Sequence, residues 1–273
     1  MKQLKRLALM AVAATAFAAS ATSALAATAP GYGEFDGCAG KNVDPAVTAC
    51  WVSIVNGGHM KLGTKNTPIV NPMNLSGGLK PNPTTGGDFV QPTLTGNPQP
   101  VPGGLVGITG LDWLINLYPG NLLKLNARAQ LAGTPSNPIQ DPLMLPLKVK
   151  LENPLLLGNC YIGSNSNPIR LNLTRNTTNP PPPNTPISGT SPHGEGDPNL
   201  PGVVRLNDGV LVDNAFAVPA AQGCGLLGFG LINALVNLQA GLPSPAGRNE
   251  AVQQVDAAIA PVEAVYPPAG FEQ

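Results

Sequence analysis

The chain has 273 residues, of which 32 are glycine and 31 are proline, while 11% are charged and 4% are aromatic. So many helix-breaking residues exclude coiled coils and helix bundles, and the lack of a three-residue glycine period excludes collagen. However, 42% of the residues are hydrophobic, which is too many for a wholly disordered chain. The composition therefore predicts a folded, loop-rich and mainly β protein.

The first 26 residues have the three-part layout of a secretory signal peptide. Lys2, Lys5 and Arg6 precede an apolar stretch, and Ala24 and Ala26 form a cleavage-like A-x-A pattern. This stretch is shorter than the roughly 20 apolar residues that cross a bilayer, so we expect cleavage rather than a retained anchor. No later stretch of the sequence is long and apolar enough to predict a transmembrane segment. The sequence thus predicts a secreted protein, extracellular or held at the cell surface.

Cleavage of this segment changes the charge balance. It removes three cations and no anion, so twelve Lys and Arg remain beside fifteen Asp and Glu, a net charge of −3. Proteins that bind nucleic acids usually carry a marked positive excess, because contacts with phosphate supply most of their affinity. We therefore expect no nucleic-acid partner.

Four cysteines follow the signal segment, at Cys38, Cys50, Cys160 and Cys224. An even number of cysteines in an exported chain predicts two disulfides. Of the three pairings we favour Cys38–Cys50 and Cys160–Cys224, because the first closes a short local loop and leaves the second to join two halves of the main region. A metal site is disfavoured, because the chain has no C-x-x-C pair and only two histidines, and we predict no cofactor.

Residues 27–104 are predicted to form an N-terminal β and loop region. Three short β-like runs, CWVSIV, HMKLG and TPIV, are separated by Asn56-Gly57-Gly58 and by residues 63–66, which are typical hairpin spacers. From Asn71 to Gly104 frequent prolines and glycines predict mostly loop, with DFVQPTL as the single strand.

Residues 105–273 are predicted to form the main β region. A helix is predicted over Thr109–Tyr118, where the threonine can act as the N-cap. Strict alternation in residues 123–131, in LPLKVKLE and in IRLNLT predicts three strands with one polar face, as in antiparallel sheets. The runs VVRL and VLVDNAFAV flank Asn207-Asp208-Gly209, which is another hairpin signal.

The remaining stretches are less regular. Residues 177–201 include four consecutive prolines and are predicted to form an exposed, flexible connection. A helix is predicted near 226–240, because leucines recur at helical spacing at Leu227, Leu231, Leu235 and Leu238. The tail from Asn249 gives no definite prediction.

These patterns together predict the fold class. We expect an antiparallel β-sandwich or barrel-like core, with one or two short helices, long Pro/Gly-rich loops and two disulfides. An α+β fold is the second option.

The cations of the exported chain are concentrated in its middle third. Six of the twelve lie in residues 121–178, beside only Asp141 and Glu152. Arg175 follows the third alternating strand, and the other five lie on the polar sides of the three strands: Lys124, Arg128, Lys148, Lys150 and Arg170. If these strands are neighbours, the five cations form a face that would bind an anion, such as an anionic cell-wall polymer. The alternative is a solvated face whose cations serve solubility and edge protection.

No catalytic motif is evident. The chain lacks G-x-S-x-G, and His59 falls in a predicted turn where a solvated or structural role is favoured. Residues 188–197 combine Ser, His, Glu and Asp, and Glu195 with Asp197 offers oxygens to a hard cation, but a flexible loop is a poor scaffold for catalysis. A pair of carboxylates at glycosidase distance is left open, because sequence spacing does not fix separation in space.

Three segments resemble a known family: NPLLLGNCYIGSNSNPIRLNLTRNTTNPPPPNTPISG from residue 153, LVDNAFAVPAAQGCG from residue 211 and LVNLQAGLPSPAG from residue 235. They are similar to a family of uncharacterised exported proteins of actinobacteria. The resemblance implies export, a bacterial origin and a common core for Cys160 and Cys224. It implies no catalytic residue.

We therefore expect a non-enzymatic exported protein that binds a partner or forms part of the bacterial cell surface. The expected partner is an anionic cell-wall polymer or another surface protein. The alternative is a secreted hydrolase, similar to a glycosidase, that uses two carboxylates. A secreted inhibitor or adhesin is a third option and differs only in its partner.

Overall fold

A computed structural model of the protein describes residues 28–40, 43–105, 122–225 and 231–267. Within these ranges thirteen strands form two antiparallel sheets that share one hydrophobic core. The predicted signal segment and the helix predicted over Thr109–Tyr118 lie outside the described residues. The prediction of a mainly β, antiparallel fold with short helices and two disulfides is confirmed.

The first sheet contains seven strands: β1 (Ala49–Leu62), β2 (Lys65–Pro68), β3 (Met73–Lys80), β4 (Asp88–Gly96), β10 (His193–Gly196), β11 (Val204–Asp213) and β13 (Glu250–Pro261). Their order is β10-β11-β13-β1-β3-β4, and β2 pairs with the second half of β1. The long strands β1 and β13 therefore lie in the middle of this sheet.

The second sheet contains six strands: β5 (Gln99–Pro100), β6 (Asn126–Leu131), β7 (Leu143–Glu152), β8 (Tyr161–Ile162), β9 (Ile169–Leu173) and β12 (Ala221–Gln222). Their order is β12-β8-β7-β6-β5. One edge of β7 pairs with β6, and the other edge pairs with both β8 and β9. The three strands predicted from alternation are thus β6, β7 and β9, and they are neighbours.

The main core lies between the two sheets. Along β7 every second side chain is buried and the intervening ones are half-buried or exposed, which explains the alternation in the sequence. Trp51, Leu75 and Phe89 of the first sheet belong to the same core as Leu147 and Leu171 of the second. This shared apolar layer holds the two sheets together.

A second core covers the opposite side of β1 and β13. It contains Phe35, from a 3-10 helix at Gly33–Phe35, together with Val52, Ala258 and Val265. The N-terminal segment thus lies against the first sheet as a third layer. The short C-terminal helix α2 (Val262–Val265) belongs to the same layer.

Disulfides join Cys38 to Cys50 and Cys160 to Cys224, which is the pairing favoured from the sequence. The first bond ties the N-terminal segment to β1, and the second joins the start of β8 to the end of β12. Their sequence separations are 12 and 64 residues. On the chain-entropy account, closing loops of these lengths stabilises the fold by about 3 and 4 kcal/mol.

Two predicted hairpin turns are β-bulges instead. Strand β1 continues through Asn56-Gly57-Gly58, with a shift in its register against β13 between Val55 and Gly57. The bulge reverses the alternation, so that Met60 faces the same side as Val55. Strand β11 likewise continues through Asn207-Asp208-Gly209 with a register shift. In the sequence alone, a strand whose in-out alternation reverses at a bulge looks like two short strands joined by a turn.

The prediction that residues 71–104 are mostly loop is wrong, because they contain β3, β4 and β5. The Gly77-Gly78 pair in β3 permits close packing rather than a turn. A Cβ on Gly77 would lie 2.5 Å from the ring of Phe89, and one on Gly78 would lie 2.8 Å from the carbonyl oxygen of Ala39. The tail from Asn249, which has no definite predicted structure, forms the central strand β13.

The proline-rich stretch 177–201 is attached to the sheets at several points. Its last part forms β10, and isolated bridges join Thr190 to Val210 and Thr177 to Ser188. The side-chain amide of Asn184 donates hydrogen bonds to two backbone carbonyls at 2.9 and 2.8 Å. This stretch is therefore a fixed part of the surface along much of its length.

The helix predicted near 226–240 is present as α1 (Leu231–Ala240), while residues 226–230 lie outside the described part. Its orientation differs from the leucine pattern, because Leu231 and Leu238 are each 80% exposed whereas Val236 and Ala240 are buried. The polar side chain of Asn237 fixes this orientation by binding both the N–H and the carbonyl of Ala221. No helix in the described ranges is long and apolar enough to cross a membrane.

Candidate functional site

Four of the five predicted cations lie on the outer face of the second sheet. Arg128 of β6 is directly opposite Lys150 of β7, and Arg170 of β9 is opposite Pro146 of β7. Lys148 lies two residues before Lys150 and so shares its face. Lys124 precedes β6 and lies outside the strands. We refer to Arg128, Lys148, Lys150 and Arg170 as the basic face.

Arg128 contributes more to structure than to the charge of this face. Its Nε lies 2.9 Å from an oxygen of Glu152, and its Nη1 donates to the carbonyl of Gly96 at 2.7 Å. Gly96 ends β4, so Arg128 connects the edges of the two sheets. The charge of Glu152 offsets that of Arg128 locally.

Lys148 is held against its neighbours. Its Nζ donates to Oδ1 of Asn165 at 3.0 Å and lies 5.3 Å from the ring centroid of Tyr161. A cation this close to an aromatic ring is attracted by the electron density of the ring face. Lys148 is therefore positioned, but no acid in the described ranges forms an ion pair with it.

Lys150 and Arg170 are the cations of the basic face that can bind an external anion. Neither side chain has a hydrogen bond or an ion pair with any residue that the structure describes. Lys150 is half-buried beside Tyr161, and Arg170 is exposed. Arg175 is not part of the face, since its guanidinium points to Asp141, 3.9 Å away, and to the carbonyl of Ile139.

The acids of residues 188–197 do not converge on one point. Glu195 accepts a hydrogen bond from Asn207, whereas Asp197 accepts from the backbone of Asn199 and from Arg205. These bonds, first that from Asn199 and then that from Arg205, lower the pKa of Asp197. Within the described ranges no three His, Cys, Asp or Glu side chains are grouped as a metal site would require.

Both carboxylates that line one surface pocket already have ion-pair or hydrogen-bond partners within the protein. The pocket is bordered by Glu34 and Asp256. Glu34 forms an ion pair of 2.6 Å with Arg205, and Asp256 accepts from Asn56 at 2.6 Å and from the N–H of Asp208 at 3.0 Å. No observation at this pocket favours the hydrolase alternative.

His59 lies within strand β1, not in a turn as expected. Its Nε2 is 2.8 Å from a carboxylate oxygen of Glu250 on β13. Both side chains are about 30% exposed. The pair is a cross-strand contact near the edge of the core, which agrees with a structural role for this histidine.

A feature that sequence reasoning missed is an apolar cavity between the two sheets. Its volume is about 80 Å³. Its walls come from both sheets and are almost entirely aliphatic, with Met60 and Met73 on one side and Leu145 and Leu147 on the other. A second cavity of about 60 Å³ adjoins it and shares Leu62, Thr67, Ala127 and Val149 as lining residues.

One buried polar side chain faces this cavity without a partner. Gln253 of β13 is 4% exposed and lines the cavity, and its amide makes no hydrogen bond within the described ranges. The other buried polar groups on the wall are satisfied. Ser53 donates to the carbonyl of Leu75, and Gln99 binds the backbone of Val70 and Asn71. In the sequence, Gln253 lies in a Gln-Gln pair that carries no motif.

No family model, curated protein or solved structure matches this chain. The candidate sites are therefore assigned from geometry and chemistry alone.

Proposed function

We propose that this protein is an exported, non-enzymatic binding protein whose basic face binds an anionic polymer of the bacterial cell wall. Export is supported by the signal-like layout of residues 1–26 and by two disulfides, which form in oxidising compartments. Binding is supported chiefly by one observation: β6, β7 and β9 are neighbours, so their cations share one face.

The spacing of these cations suits a repeating anion. Neighbouring strands lie about 4.8 Å apart, and residues on one side of a strand recur about every 6.8 Å, so Lys150 and Arg170 with Lys148 between them offer charges at several points along a polymer. The exported chain as a whole has a net charge of −3, so the part outside the basic face is more acidic still. A positive face on an acidic protein directs an anionic partner to that face and repels it elsewhere.

Retention of the purified protein on isolated cell walls tests this proposal. We expect retention at low salt and loss of it near 0.15 M salt, where the Debye length is about 8 Å. Arg170→Glu should weaken retention, and Lys150→Glu combined with it should abolish retention. Arg248→Glu is the matched control, because Arg248 is an exposed arginine remote in sequence from this face.

Equal retention of Arg170→Glu and Arg248→Glu would contradict a role for the basic face. Loss of retention in all variants, together with altered thermal unfolding, would indicate a folding defect, so each variant is first compared with the wild type by circular dichroism. Retention that does not respond to salt would argue for an apolar or covalent attachment instead.

A further inference from the structure

We propose that the cavity between the sheets binds a neutral aliphatic lipid, an acyl ester or a fatty alcohol, with the amide of Gln253 as its hydrogen-bond partner. This site is separate from the basic face and does not depend on the function proposed there. It lies on the opposite side of β6 and β7, where Ala129 and Leu147 point inward.

The size of the cavity indicates a ligand rather than a packing fault. Protein interiors contain few voids larger than one water molecule. One water takes about 30 Å³ in the liquid, so the 80 Å³ of the first cavity exceeds one water, and the adjoining cavity adds 60 Å³. An apolar cavity of about 150 Å³ holds a molecule as large as benzene. The two cavities together therefore hold an aliphatic segment of about six heavy atoms, and the rest of a longer chain would lie outside them.

The lining of the two cavities favours a flexible chain. They share four lining residues, and among the described residues neither is lined by an aromatic side chain. Aliphatic walls suit an aliphatic chain better than a flat ring, which binds by stacking. Met60 and Met73 on the wall are half-buried and adaptable, and they give a route from the surface.

Gln253 points to one neutral polar group on this chain. The Gln253 side chain is 4% exposed and has no hydrogen-bond partner among the described residues, so a ligand group that bonds to its amide is favoured. The amide has both a donor and an acceptor, which match a hydroxyl or an ester carbonyl. Among the described residues, no Asp, Glu, Lys, Arg or His lines the first cavity, and Lys65 lines the second. A carboxylate placed beside Gln253 would be buried without a counter-charge, which disfavours a fatty acid anion at that amide.

Methyl NMR with 1-decanol as the probe tests the location of the site. The protein has three methionines after residue 27, of which Met60 and Met73 line the cavity while Met144 is 56% exposed on the outer side of β7. In protein labelled with ¹³C at the methionine methyls, 1-decanol should shift the signals of Met60 and Met73 saturably. The signal of Met144 should stay in place.

Matched variants test the chemistry. Gln253→Leu should weaken the binding of 1-decanol about threefold to tenfold, which corresponds to one lost hydrogen bond. Gln254→Leu is the control, because Gln254 is exposed on the other side of the same strand. Ala129→Leu, which fills the cavity, should weaken binding at least tenfold, whereas Gln130→Leu on the outer side of β6 should not change it.

Three results would overturn the proposal: no shift of Met60 or Met73, equal affinity for 1-butanol and 1-decanol, or tighter binding of decanoate than of 1-decanol above neutral pH. If Ala129→Leu does not fold, the pair Gln253→Leu and Gln254→Leu with the methyl shifts decides the question. Retention on cell walls should be unchanged in Gln253→Leu, so failure at this site and failure of the basic face are distinguishable.

Discussion

The side-chain oxygen of Asn249 accepts a hydrogen bond from the backbone N–H of Gly63 at 2.9 Å, although the two residues are 186 positions apart. The amide nitrogen of Asn249 also donates to the carbonyl of Phe216 at 2.9 Å and to that of Pro245 at 3.0 Å. Asn249 is completely buried. One side chain thus satisfies the backbone of three segments that meet at the start of β13.

We expect Asn249→Ala to lower the free energy of unfolding by about 3 kcal/mol or more, because it leaves several buried backbone groups without partners. Urea-induced unfolding measures this change. Asn199→Ala is the control, since Asn199 is exposed, and its effect should stay within about 0.5 kcal/mol. Equal effects of the two substitutions would show that Asn249 is not the junction inferred from its contacts.

The strands that could be predicted from the sequence are those with one solvent-exposed face. In β7 and β9 buried and exposed residues alternate, so the period of two is visible in the sequence. Part of β13 is covered on both sides, by the main core and by the N-terminal layer, and its Ala, Val and Gln residues show no such period. A strand buried on both faces loses the pattern by which strands are recognised.

The candidate sites depended on information that the sequence does not contain. Alternation placed Lys150 and Arg170 on polar faces, but only the pairing of β7 with β9 brings the two faces together. The cavity could not be predicted, because it results from the side-chain volumes of many strands. Gln253 has no local signal, since its lack of a partner is a property of the packed core.

The bulge in β1 requires glycine at position 58. The φ angle of Gly58 is 98°, and a Cβ there would lie 2.0 Å from the carbonyl oxygen of Val252. We expect Gly58→Ala to destabilise the fold by about 2 to 3 kcal/mol or more, through backbone strain and the displacement of β13. Thermal unfolding measures the loss. In Gly33→Ala the new Cβ meets no atom within 4 Å, so this control should unfold close to the wild type.

A similar melting temperature for Gly58→Ala and Gly33→Ala would mean that the bulge adapts to a side chain. The strand would then shift its register, and Met60 would leave the cavity wall. The methionine methyl spectrum would report that movement directly.

Burial raises the pKa of Asp213, although hydrogen bonds from the N–H groups of Ala215 and Asn172 partly oppose this shift. The native state therefore binds a proton at Asp213 more tightly than the unfolded state does. From the ordinary value of 3.8 up to the raised native pKa, this group makes stability fall as pH rises. We expect the stability advantage of the wild type over Asp213→Asn to shrink as pH is raised from about 4 towards neutral.

Urea unfolding of both proteins over this pH range tests the sign. Asp213→Asn itself should be destabilising, because an asparagine can accept only one of the two N–H bonds without presenting its own N–H to the other. An advantage that grows with pH would show that the two hydrogen bonds, rather than burial, decide the pKa of Asp213.

Arg205 joins the N-terminal layer to the first sheet. Its guanidinium lies 2.6 Å from Glu34, which belongs to the 3-10 helix, and 2.8 Å from Asp197, which follows β10. We expect Arg205→Met to loosen this layer, because a methionine keeps the aliphatic contact and removes both ion pairs. Hydrogen exchange should then become faster at the amides of Phe35 and Cys38, which are bonded within the layer.

The amides of β7 are the internal reference, since that strand lies in the other sheet, and Arg248→Met controls for the loss of an exposed arginine. The protection factors of the same amides, which correct for the pH dependence of intrinsic exchange, should fall in the wild type at low pH. The lowered pKa of Asp197 means that its contribution is present above the ordinary value of 3.8 and is lost as pH falls through the native value. In Arg205→Met this pH dependence should be weaker, because Asp197 then lacks its cationic partner. An unchanged pH dependence would assign the shift to the backbone N–H groups of Asn199 and Leu200.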